Sequence, residues 1–81
     1  MRIILPSSAQ IVAARALLGI GQKELAHLAK IHPGTLSRLE SAGWADAPGF
    51  TSTVGKVVAV LEANGVEFIE LGVRLTRKPH R

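Results

Sequence analysis

Cysteine is absent from all 81 residues, so the chain can form no disulfide, no zinc–thiolate site and no thiol nucleophile. That suits a reducing compartment, and a cytoplasmic location is expected. Long apolar runs are also absent. The opening "MRIILPSSAQ" has only four apolar residues in succession, fewer than the roughly 7–15 of a secretory h-region or the about 20 of a spanning helix. No membrane association is therefore expected. Low-complexity segments and internal repeats are missing too.

The residue sets that carry catalysis are equally scarce. His27 and His32 are five apart, which does not bring them to one helical face, and His80 is distant. No metal site is expected. Ser7, Ser8, Ser37, Ser41 and Ser52 have no visible His–Asp arrangement around them. Gly19-Ile20-Gly21 is a connector, not a phosphate-binding loop following a strand. Glu62, Glu67 and Glu70 fall on a helix surface and a hairpin, not in a carboxylate pair suited to hydrolysis. No catalytic residue, no cofactor and no enzymatic activity are expected.

What the chain does have is a basic balance, with net charge +4 and pI near 10.4. Six Lys/Arg and six Asp/Glu precede Val73, so the excess lies in "VRLTRKPHR", at Arg74, Arg77, Lys78 and Arg81. Two readings of that segment stand: a solubilising strand end, or a DNA-backbone tail that follows phosphates or enters a minor groove.

The pattern predicts one domain over residues 1–81, mainly helical. An N-terminal strand or arm covers 1–6, a helical core 7–64, and a hairpin with a basic tail 65–81. Ser7 or Ser8 can cap a first helix with Ile11, Ala14 and Leu18 inward, and Gly19 stops it. A second runs from Gln22 to Ala29 with Leu25, Ala26 and Ala29 on one face. A third runs from Pro33 to about Ser41 on Leu36 and Leu39, with Pro33 suited to its first turn. After the Gly/Ala/Pro-rich "SAGWADAPGF", Thr51 or Ser52 caps a fourth, reaching about Asn64 with Val54, Val57, Val58 and Leu61 inward. Gly65 ends it. "VEFIELGVRLTR" alternates as a hairpin with its turn at Leu71-Gly72. Two strands alone are marginal, so "RIIL" at 2–5 is expected to add a third, within one chain or across a dimer. Trp44 is either a lid on the core or an interface anchor, while Phe50 and Phe68 are packing residues.

In "GQKELAHLAKIHPGTLSRLE", two short amphipathic helices are separated by Lys30-Ile31-His32. That is the helix-turn-helix arrangement, whose second helix enters the DNA major groove. Ala26 is small where the helices cross, and Ile31 plugs the turn.

The longer run "RALLGIGQKELAHLAKIHPGTLSRLESAG" resembles the Cro and phage-repressor regulators of the xenobiotic-response-element family. The likeness covers residues 9–64 and implies a lambda-repressor-like bundle of about four short helices. It also implies double-stranded DNA as partner, homodimerisation on paired half-sites, and transcriptional regulation, most simply repression. Arg15 and Glu40 match a structural ion pair. Gln22, with Lys23 beside it, matches the backbone-contacting start of the second helix. His32, Pro33, Gly34, Thr35, Ser37 and Arg38 match the groove-facing stretch, and Arg38 can bond guanine O6 and N7 together.

Three departures stand out. Lys30 occupies the turn position usually held by glycine, and His32 that of a Ser or Thr cap. Pro33 and Gly34 offer no side-chain hydrogen bonds to bases, so readout leans on Arg38, Ser37 and Thr35. The competing reading is the same fold used mainly to bind a protein, as in antitoxin subunits or accessory factors.

Overall fold

The computed structural model describes residues 6–42 and 51–77. Within them lie four helices, α1 (Ser8–Leu18), α2 (Gln22–Ala29), α3 (Pro33–Leu39) and α4 (Thr51–Ala63), then strands β1 (Val66–Ile69) and β2 (Gly72–Leu75). This is the small helical bundle with a C-terminal hairpin that the pattern predicts. The expected strand at 2–5, Trp44, Phe50, Lys78, His80 and Arg81 fall outside the described residues.

Ser7 starts α1 through a reciprocal capping box. Its Oγ accepts from the Gln10 backbone N–H at 3.1 Å, and Gln10 Oε1 accepts from the Ser7 N–H at 2.9 Å. Ile11, Ala14 and Leu18 are buried as the spacing predicts. Ser8 is buried with them, its hydroxyl donating to the Leu39 carbonyl and tying the start of α1 to the end of α3.

α1 and α2 end alike. Gly19 takes φ 71°, and the N–H groups of Gly19 and Ile20 bond the Ala16 and Arg15 carbonyls. Lys30 takes φ 59°, and the N–H groups of Lys30 and Ile31 bond His27 and Ala26. Both are left-handed C-terminal caps with an isoleucine folded back onto the core just beyond. At Lys30 the conformation falls on a residue with a Cβ, which carries strain of about 1–2 kcal/mol.

α3 is shorter than expected, ending at Leu39 rather than near Ser41. The Glu40 N–H is shared between Leu36 and Ser37, and the Ser41 N–H bonds Arg38. These tighter i→i+3 bonds close the last turn and stop propagation. α4 begins at Thr51, so Ser52 lies inside the helix. Val54, Val57 and Leu61 are buried, and Gly65 ends the helix at φ 98°.

In the hairpin Val66 faces Leu75, Glu67 faces Arg74, Phe68 faces Val73 and Ile69 faces Gly72. Strand alternation puts Val66, Phe68, Val73 and Leu75 toward the helices and Glu67, Ile69 and Arg74 outward. The turn is Glu70-Leu71, one residue earlier than expected. Its positive φ of 58° falls on Leu71 and not on Gly72. Among the described residues the sheet has two strands, and helices brace it. Gln10 Nε2 donates to the Ile69 and Gly72 carbonyls at 2.7 and 2.9 Å, gripping the turn from α1.

Replacing Lys30 by glycine removes the left-handed strain but adds about 0.5–1 kcal/mol of chain entropy. A net gain of about 0.5 kcal/mol is expected, read as a higher urea midpoint at unchanged slope. An unchanged midpoint would show that the Lys30 side chain offsets its own strain.

Candidate nucleic-acid interface

The candidate site is the outer surface of α2, the turn at 30–32 and α3. Its inner surface is fixed by Leu25, Ala26, Leu36 and Leu39, all essentially without exposure, with Ala29 beside them. Ala26 is fully buried, so a larger side chain there would overpack the core. Outward stand Lys23, Glu24 and His27 from α2, Lys30 from the turn, and His32, Pro33, Gly34, Ser37 and Arg38. Gln22 and Thr35 are half-buried.

Glu40 locks this surface to the rest of the fold. Its Oε2 accepts from Arg15 Nε and its Oε1 from Arg15 Nη2, each at 3.0 Å, a two-pronged pair. Gln22 Nε2 donates to the same Oε1 at 2.8 Å. Arg15 Nη1 also reaches the Ile20 carbonyl at 3.2 Å. The Glu40 side chain is 3% exposed and that of Arg15 21%, so water offers the carboxylate little compensation. The expected Arg15–Glu40 pair is present. Gln22, which the likeness places at the backbone-contacting start of α2, commits its amide nitrogen to Glu40. Its carbonyl oxygen and backbone N–H are what it retains for a ligand.

His32 takes the place of the missing Ser or Thr oxygen at the start of α3: its Nδ1 accepts from the Gly34 N–H at 2.9 Å. A ring nitrogen that accepts carries no proton, so this bond leaves Nε2 as the ring's donor. Gly34 makes room for this. A Cβ there would sit 3.1 Å from Nδ1, close enough to press the ring away.

Among the described residues the Arg38 guanidinium has no hydrogen bond or ion pair, and it is exposed in the last turn of α3. Between residues 22 and 38, Lys23, Lys30 and Arg38 face solvent against the single carboxylate of Glu24. The near-neutral charge of the chain before Val73 therefore hides a local positive excess. As an exposed cation beside the start of α3, Lys30 belongs to this surface.

The basic segment at the chain's end is not one free tail. Arg74 lies on β2 and pairs across the hairpin with Glu67 at 2.6 Å, as their register dictates. Arg77 Nη2 donates to the Ala63 carbonyl at 2.7 Å and satisfies the C-terminus of α4. Both were candidate backbone-tail residues, and both are tied to the body. Lys78 and Arg81 lie outside the described residues. Among the described residues no three of His, Asp and Glu converge as metal ligands, and no helix is long and apolar enough to cross a membrane.

No protein-family model matches the chain, and no curated protein and no solved structure matches it.

Arg15→Ala strands a nearly sealed carboxylate and is expected to lower stability by about 3 kcal/mol. Adding Glu40→Ala should recover part of that loss, and a double-mutant cycle from denaturant unfolding measures the coupling. Strict additivity would mean the pair holds nothing together. His32→Ala should cost about 1 kcal/mol while His32→Ser costs close to nothing, since serine restores a capping oxygen.

Proposed function

We propose that the protein is a sequence-specific DNA-binding transcriptional regulator that acts in the cytoplasm as a homodimeric repressor, with α3 as its recognition helix. The observation that carries this reading is the division of α3. Leu36 and Leu39 are sealed against the core, while the uncommitted Arg38 guanidinium, Ser37 and the capped His32-Pro33-Gly34 start are presented outward. The likeness of residues 9–64 to the xenobiotic-response-element regulators supports the same assignment.

In this reading Lys23 and Lys30 approach phosphates on either side of the groove. Arg38 reads a guanine through its fork, and Ser37 and Thr35 supply weaker polar contacts. Pro33 and Gly34 add no base-reading donors, but Gly34 lets the backbone of α3 come close to base edges. Selectivity per half-site is modest, so two copies on a symmetric site and the shape of the DNA supply the rest. The same thin reading surface favours one alternative, a helix-turn-helix that mainly docks a protein, as antitoxin or accessory subunits do.

The test is fluorescence-anisotropy binding to a mixed duplex library at two salt concentrations. Wild type should enrich a two-fold symmetric site with affinity that falls as salt rises. Arg38→Ala should lose about tenfold or more in discrimination. Lys23→Ala should weaken all sequences alike and reduce the salt slope by about 1. Weak binding that is equal for all three proteins, with no site enriched, would turn the assignment toward the protein-docking alternative.

A further inference from the structure

Pro33 leaves an apolar side chain in water on a surface that is otherwise mostly polar or cationic. A proline at the first position of a helix is common, because its missing N–H would have no intrahelical partner there. What sets this one apart is what surrounds it. Residues four apart on a helix lie one above the other. The outward side of α3 therefore consists of two rows, Pro33 with Ser37 and Gly34 with Arg38, all four residues exposed. Leu36 and Leu39 occupy the opposite side and are sealed in the core.

The two rows differ in chemistry. The Gly34–Arg38 row has no side chain at its near end and a planar fork of donors at its far end. The Pro33–Ser37 row has a rigid hydrocarbon ring, then a hydroxyl about 6 Å further along the axis. Among the described residues that hydroxyl has no hydrogen-bond partner. Gly34 adds no bulk beside the ring, and the His32 imidazole is held at the Gly34 N–H.

We propose that Pro33 and Ser37 form a subsite for a pyrimidine carrying a C5 methyl group, thymine or 5-methylcytosine. The inference rests on the DNA reading of α3 and deepens it. In the major groove the C5 methyl is the apolar group that a base edge presents, and apolar side chains read it by contact. The proline ring makes that contact at little entropic cost, since it has no rotamer freedom to lose on burial.

The group next to the methyl is an acceptor, O4, in thymine and a donor, the N4 amine, in 5-methylcytosine. The Ser37 hydroxyl both donates and accepts, so it pairs with either. The methyl is therefore what the row selects. An unmethylated cytosine offers the serine the same bond and leaves the ring unmatched. Pro33 thus gives the first turn of α3 a readout that needs no hydrogen bond, beside the guanine contact of Arg38.

Fluorescence-anisotropy titrations on the enriched symmetric site test this with two chemical replacements, made at each position in turn. Uracil in place of thymine removes the methyl and keeps every hydrogen-bonding group. 5-Methylcytosine in place of cytosine adds the methyl. At one position per half-site, wild type should lose about fourfold in affinity from thymine to uracil, the worth of one buried methyl-sized group. With a C·G pair at that position, methylation should recover a similar factor. A loss at uracil without that recovery assigns the row to thymine alone. Pro33→Ser should bind the thymine and uracil duplexes equally, with unchanged helical circular dichroism and undiminished preference for the guanine that Arg38 reads. Ser37→Ala should weaken binding with all four pyrimidines and keep the methyl step. Equal binding of thymine and uracil duplexes at every position, or a methyl step that survives Pro33→Ser, overturns the proposal. In either case an enriched site whose selectivity is lost in Arg38→Ala leaves the regulator reading standing. A protein that enriches no site overturns both.

Discussion

Glu40 stands just past the end of a seven-residue helix, too short to hold its own orientation by backbone hydrogen bonds alone. Its carboxylate accepts three hydrogen bonds, two from α1 and one from α2, in a site nearly closed to water. That convergence turns three short helices into one rigid body. It also explains why α3 can leave its outer side so open. The orientation of the helix is set from behind, by Glu40, Leu36, Leu39 and the bond from Ser8, and needs nothing from residues that face outward. A buried charge is costly unless fully met, and here the geometry meets it completely.

The molecule separates its two kinds of surface. On α2 and α3 the exposed side chains are mostly polar or cationic, Leu28 and Pro33 excepted. On α1 the arrangement is reversed, with polar groups consumed internally and apolar ones left outside.

Much of the frame was legible from spacing alone. The inward residues of α1, α2 and α3 follow helical periodicity, and Gly19 and Gly65 mark two helix ends. The Arg15–Glu40 pair was reached through family resemblance, since 25 residues of separation carry no local signal. What escaped were contacts in which a side chain bonds the backbone of a distant element. Nothing in the sequence around Arg77 says that it will satisfy the end of α4, and charge counting made it part of a tail. Gln10 was more accessible. The Ser7-x-x-Gln10 spacing is a capping box, although it does not foretell the second pair of bonds to the hairpin. That His32 itself caps α3 was not legible because an imidazole is a rarer cap than a hydroxyl, and the glycine two residues on, which leaves it room, shows in the sequence only as a missing base contact.

The joint geometry of His32 and Gly34 bears on how this surface can change over time. Any side chain at position 34 that might read a base begins with a Cβ, which would press on the imidazole and stretch the bond that caps α3. Replacing the histidine first, by a smaller capping residue, removes that conflict. The two positions are therefore coupled: a side chain at 34 fits only as far as the exposed His32 ring gives way by a few tenths of an ångström, at the expense of the bond that caps α3.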